Sequence, residues 1–158
     1  MVGTIDLAQT LLDAAKEVLG TMAGMEVTPA CEQDHRTGTE MVLSSITFTG
    51  PIEGCLGVIC QMASAKAIAG GMLAMEPGQD MDQQEAKDAM GEVANMVMGA
   101  VKSRLLALGL DLTVSIPAVV TGQDLEVGLV DGFEQVVLDI LIAQDYPARL
   151  YILHRQCE

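Results

Sequence analysis

The sequence predicts an α+β domain in two layers, with helices covering an antiparallel sheet and a pseudo-twofold internal repeat. Three observations carry this. Helical apolar periodicity and β-branched runs come in blocks, in the order helix, strands, helices, strands. Short turns join the strand-like runs, as antiparallel neighbours allow. The second half of the chain also repeats residue spacings found in the first.

Asp6 to Thr21 reads as the first helix. Leu7, Leu11, Leu12, Ala15, Val18, Leu19 and Met22 form its apolar stripe, and Gly20 and Gly24 provide its ending. Met25 to Thr28 is a short strand before Pro29, and Cys31 to Gly38 a polar loop. Met41 to Thr49 and Cys55 to Met62 form a hairpin across the turn Gly50 to Gly54. Ala63 to Met75 is a helix of small apolar residues, closed by Glu76-Pro77-Gly78.

Asp80 to Glu85 then supplies caps and acidic residues to the longest helix, Gln83 to Leu108. Its apolar stripe is Ala86, Met90, Val93, Ala94, Val97, Val101 and Leu108. Leu112 to Ile116 is a strand leading to Pro117, and Thr121 to Gly132 is loop-rich, with 125 to 130 open between loop and edge strand. Phe133 to Ile142 and Ala148 to His154 are the last two strands, joined by the turn Gln144 to Pro147.

Composition narrows the functions available. With 158 residues, one domain spanning 1–158 is expected, and half the residues are hydrophobic, enough for a core. A net charge of −14 is repelled by phosphate backbones and anionic lipid, which argues against nucleic acid and membrane partners. The N-terminus lacks a basic leader and no apolar run reaches spanning length, so the cytoplasm is expected. Cys31, Cys55, Cys60 and Cys157 lack metal-ligand spacing, His35 and His154 stand alone, and no metal site or cofactor is expected in this chain.

The repeat sharpens the picture. Asp13, Glu17 and Gly20 have the spacing of Asp88, Glu92 and Asn95, and a proline follows each set, Pro29 and Pro117. Glu40, Val42, Leu43 and Ile46 likewise match Glu134, Val136, Val137 and Ile140. The first copy spans 5–62 and the second 82–155. The first is degenerate, because Gly20 offers no side chain where the second has Asn95.

On the long helix, Asp88, Glu92 and Asn95 share a sector of about a third of the circumference with Gly91, Gly99 and Lys102. Glu92 and Asn95 stand side by side, about 5–6 Å apart at Cβ. The glycines leave that face low. Gly99 in a helix interior costs about 1 kcal/mol relative to Ala, so close packing or a docking surface has to explain it.

These residues resemble the CheC/CheX/FliY family of chemotaxis phosphatases. The four-part spacing Asp88, Glu92, Asn95 and, after Met96 to Ile116, Pro117 carries the resemblance, which extends over nearly the whole chain. A single intact copy is most like the CheX branch. The resemblance implies hydrolysis of the aspartyl phosphate on a CheY-like response regulator. Asn95 would orient the attacking water and Glu92 would bind the regulator's lysine, with Asp88, Gly91, Gly99 and Lys102 contacting the partner. It implies Mg²⁺ in that regulator, none in this chain, and a homodimer, which could form through an open strand edge such as 133–142 or 148–154. Two other readings stay open on the residues themselves. One is a non-catalytic binding module for a response regulator or flagellar-switch component. The other is an assembly domain in which Met72, Met75, Met90, Met96 and Met98 pack a core or subunit interface.

Overall fold

The structure, a computed structural model, describes residues 5–30, 39–76, 80–123, 125–128 and 130–157. In chain order these form α1 (Leu7–Met22), β1 (Val27–Pro29), β2 (Glu40–Thr49), β3 (Ile52–Gln61), α2 (Met62–Met72), α3 (Gln83–Ala107), β4 (Thr113–Val114), β5 (Ala118–Gln123), β6 (Glu134–Ile142) and β7 (Tyr146–Gln156). The expected loop at 31–38 and the residues Pro77 and Gly78 lie outside the described residues.

Capping fixes where the two long helices begin. The Asp6 carboxylate accepts from the Gln9 amide at 3.0 Å, and the Asp82 carboxylate accepts from the Gln84 amide at 3.2 Å. Each satisfies an N–H that the helix itself leaves without a partner. Gly24, at φ +66°, takes the left-handed conformation that turns the chain out of α1.

All seven strands join one antiparallel sheet, in the order β1-β6-β7-β3-β2-β4, with β5 also pairing β2. Exchanging β1, β2 and β3 for β4, β6 and β7 gives the same order read backwards. The two halves therefore meet at the β3–β7 pair, where Leu56 lies opposite Ile152. Each half also places its proline alike. Pro29 pairs with Ile140 on β6, while Pro117 precedes Ala118, which pairs with Ser45 beside Ile46.

The three helices lie on one face, with α3 packed against both α1 and α2 and across β2. Between the layers sit Leu11, Ile46, Leu56, Ile68, Met90, Met98, Leu105 and Ile140, all essentially out of solvent. Full burial of each aliphatic side chain stabilises the fold by about 1.5–3 kcal/mol. A smaller cluster, Met41, Ile59 and Tyr151, lies outside this core, with Leu43, Leu125 and Val127 packed against it.

Three expectations need correction. Residues 118–123 form a strand, β5, where the sequence suggested a break and then loop. Pairing with β2 supplies the backbone partners that an exposed Pro-Ala-Val-Val run needs to stay extended. Leu108 does not belong to the apolar stripe: it caps α3 and is 61% exposed, while Gly91, Met98 and Leu105 are buried. Finally, residues 148–154 offer no edge, because β7 is bonded to β3 on one side and β6 on the other. Among the described residues the open stretch is on β6, which β1 and Ala30 cover only at Asp139–Ile142.

Candidate functional site

α3 turns its apolar stripe onto β2 and leaves the opposite side in water. Ala86, Met90, Val93, Ala94, Val97, Val101 and Leu105 are buried, and Asp88, Glu92, Asn95 and Gly99 are exposed. The sequence places these four on one face, and the fold leaves that face uncovered. Lys102 is half-buried farther along the same face.

The polar side chains differ in how they are held. Asp88 Oδ1 accepts from Gln84 Nε2 at 2.9 Å, which ties the carboxylate to its own helix. Among the described residues, no hydrogen bond or ion pair engages the Glu92 carboxylate or the Asn95 amide. An acceptor-only carboxylate and an amide that both donates and accepts thus project together. The ridge is convex. The larger cavities lie elsewhere, one of about 530 Å³ lined by Asp6, Glu134, His154 and Arg155 at the start of α1. A convex pair of this kind is suited to entering a partner's cleft rather than enclosing a small substrate.

Gly91 has a different place from the one expected. It is buried, and a Cβ built there would stand 3.2 Å from Val119 Cγ2 and 3.9 Å from Pro117 Cγ. It is the seat on which the strand after Pro117 rests, so it cannot itself offer docking surface. Gly99 meets nothing within 4 Å at a built Cβ, which removes close packing against the described residues as its explanation.

Val119 is the contributor that sequence reasoning missed. Its signal lay in the β-branched pair Val119-Val120, which follows Pro117 and Ala118. The strand it belongs to also carries an irregularity. Phe48 pairs with Val114 and Ser45 with Ala118, so Thr47 and Ile46 face three residues, Ser115, Ile116 and Pro117. The extra residue makes a β-bulge, a feature that bends an edge strand and re-aims a side chain.

The equivalent face on α1 is differently equipped. Asp13 and Glu17 are exposed, but Glu17 Oε1 lies 3.6 Å from Arg104 Nη2, and Gly20 presents only backbone. The acid of that copy already faces a cation of the same chain, and the amide is missing.

No cluster of three or more His, Cys, Asp or Glu side chains able to hold a metal occurs among the described residues, and no described helix is long and apolar enough to cross a membrane. Burial, not partnership, governs the shifted groups. The Cys60 thiol is pushed up to about 12 by burial, and Tyr151 to about 12 by burial and by the neighbouring Cys55. Neither lies on α3.

Comparison with known proteins follows the same geometry. A candidate chemotaxis protein from Desulfovibrio vulgaris Hildenborough is similar in structure, with a TM-score of 0.79, 26% identity, and coverage of 96% of this chain and 97% of that one. The chemotaxis protein CheX from Vibrio vulnificus matches at 0.79, with 24% identity and coverage of 96% and 97%. A CheX–CheY–BeF3–Mg²⁺ complex from Borrelia burgdorferi matches at 0.73, with 22% identity and coverage of 96% and 99%. Comparison with curated proteins gave no match. The profile of the chemotaxis phosphatase CheX matches residues 42–141, a span holding β3, α2, all of α3 and most of β2 and β6, and by that match the chain belongs to the CheX family.

Proposed function

We propose that the protein hydrolyses the aspartyl phosphate of a CheY-like response regulator by inserting the α3 ridge into the regulator's phosphorylated pocket. The observation that carries this is the pair Glu92 and Asn95, adjacent, exposed and unengaged on a convex helix among the described residues. Membership in a chemotaxis phosphatase family supports it, as does a similar fold in a complex named for CheX and CheY.

The chemistry asks little of the inserted helix. An aspartyl phosphate held by its own protein's Mg²⁺ and lysine needs a water placed in line with the scissile bond. Asn95 accepts a hydrogen bond from that water through its amide oxygen and donates through its nitrogen toward the phosphoryl oxygens. Glu92 pairs with the regulator's lysine and fixes the register of docking. Asp88, Gly99 and Lys102 border the contact. This chain then supplies neither nucleophile nor metal, and it works in the cytoplasm, where such regulators are found.

The same reading includes a homodimer. Among the described residues, 134–138 of β6 leave an open strand edge, with Val137 42% exposed, and a twofold copy would pair there. Light scattering at micromolar concentration should give twice the chain mass.

Phosphate release from phosphorylated receiver domains tests the reaction. Asn95→Ala should remove the acceleration while binding persists, and Glu92→Ala should weaken binding. Stoichiometric capture of the phosphorylated receiver with an unaltered phosphate lifetime would instead make the protein a binding module.

A further inference from the structure

We propose that the bulge at Ile116–Pro117 exists to hold Ile116 out as an apolar contact for the docked receiver domain, making Ile116 a positioning residue for the reaction at Asn95. The inference rests on the function proposed above and adds a second point of attachment to it.

Ile116 is 87% exposed, the highest value among the exposed large hydrophobic residues of the described chain. An isolated exposed aliphatic residue is ordinary; here two further observations set it apart. The first is the extra residue in the strand, three facing two between Phe48 and Ser45, which releases Ile116 from the regular alternation of the sheet. Pro117 has no N–H to return to the ladder, so the bulge is locked where it stands.

The second observation is position. The C-terminal end of α3 leads into β4, which pairs with Phe48 and Thr49, while the far end of β5, Gln123, pairs with Glu40. β5 therefore runs antiparallel to α3. Val119 and Pro117 both reach Gly91, so from that contact to Ile116 is a move of about 5–7 Å toward the C-terminal end of the helix. That distance is about three to five helical residues, which brings Ile116 alongside Asn95. A partner whose pocket receives Asn95 must lie over this border of the ridge. Covering one isoleucine there would increase affinity about tenfold without touching the reacting atoms.

The test compares the parent protein with Ile116→Gln and Asn95→Ala. It uses phosphate release from a phosphorylated CheY-like receiver and, separately, binding of the same receiver loaded with beryllofluoride and Mg²⁺. Ile116→Gln should raise KM and weaken binding about tenfold with kcat within about twofold of the parent and an unchanged melting temperature. Unchanged KM and binding in Ile116→Gln overturn the inference and leave the phosphatase reading standing. Binding without turnover by the parent removes the phosphatase reading, and weaker binding by Ile116→Gln then still supports the contact. If the parent neither binds nor dephosphorylates any receiver, both fall.

Discussion

Gly91 and Val119 are in van der Waals register across the α3–β5 contact, with room for a hydrogen on residue 91 but little for a methyl group. This relationship sets the height of the strand beside the ridge, and with it the place of Pro117. The glycine is there for the strand, while the side chains proposed to meet a partner stand one and four residues further along the helix.

Enlarging residue 91 should therefore lift β5. Gly91→Leu is expected to cost about 1–3 kcal/mol through overpacking, which lowers Tm by about 2–4 °C for each kcal/mol. Gly91→Leu combined with Val119→Ala should recover part of that loss. Differential scanning calorimetry of the three proteins checks it, and additive losses in the double variant would show that the contact is not the cause.

Gly99 should behave in the opposite way. It lies inside α3, is exposed, and has open space at its Cβ position. Gly99→Ala is expected to raise stability by about 1 kcal/mol, read from chemical denaturation. A bulky Gly99→Leu should keep the fold and raise KM for the phosphorylated receiver, because the side chain would stand on the ridge.

Ser44 lies on β2 with Val119 as its β5 partner and is fully buried. Its Oγ has no hydrogen-bond partner among the described residues. A buried hydroxyl left unpaired costs about 1–3 kcal/mol. Ser44→Ala should raise the urea midpoint, and a lower midpoint would show that the hydroxyl is satisfied in solution.

Alkaline pH should unfold the protein through two groups. In the fold, Cys60 and Tyr151 are each held protonated to about 12, from ordinary values of 9.0 and 10.0. Above those ordinary values the unfolded chain loses protons that the folded chain keeps, so stability falls with rising pH. The contribution is fully present below pH 9 and is lost as pH rises through about 12. Urea midpoints should hold steady from pH 7 to 9 and then decline, and Cys60→Ala should make the decline shallower.

Much of the candidate site's geometry was legible in the sequence. The i, i+3 spacing of Glu92 and Asn95 put them side by side, because helical geometry is local. Asp82, within the capping stretch 80–85, marked the start of the long helix for the same reason, whereas Asp6 reads as the first residue of α1 and is its cap. The repeat was equally legible, since matched spacings survive whether or not the halves are seen in space. β5 was not. An edge strand half in water carries a weak pattern, and its backbone partners come from β2, more than seventy residues earlier in the chain.

Local residue order was enough to establish which faces of the helices are apolar, that the second helical copy carries an amide and the first does not, and that neighbouring strands pair in short-turn hairpins. These depend on neighbours within a few residues. Long-range packing was needed to show that β7 is interior and that β6 keeps an open edge among the described residues, that Gly91 is a seat and Gly99 is not, and that Ile116 stands outward beside one surplus residue. Those outcomes depend on strand order, register and the distance between a helix and an edge strand, and such quantities exist only once distant segments have been brought into contact.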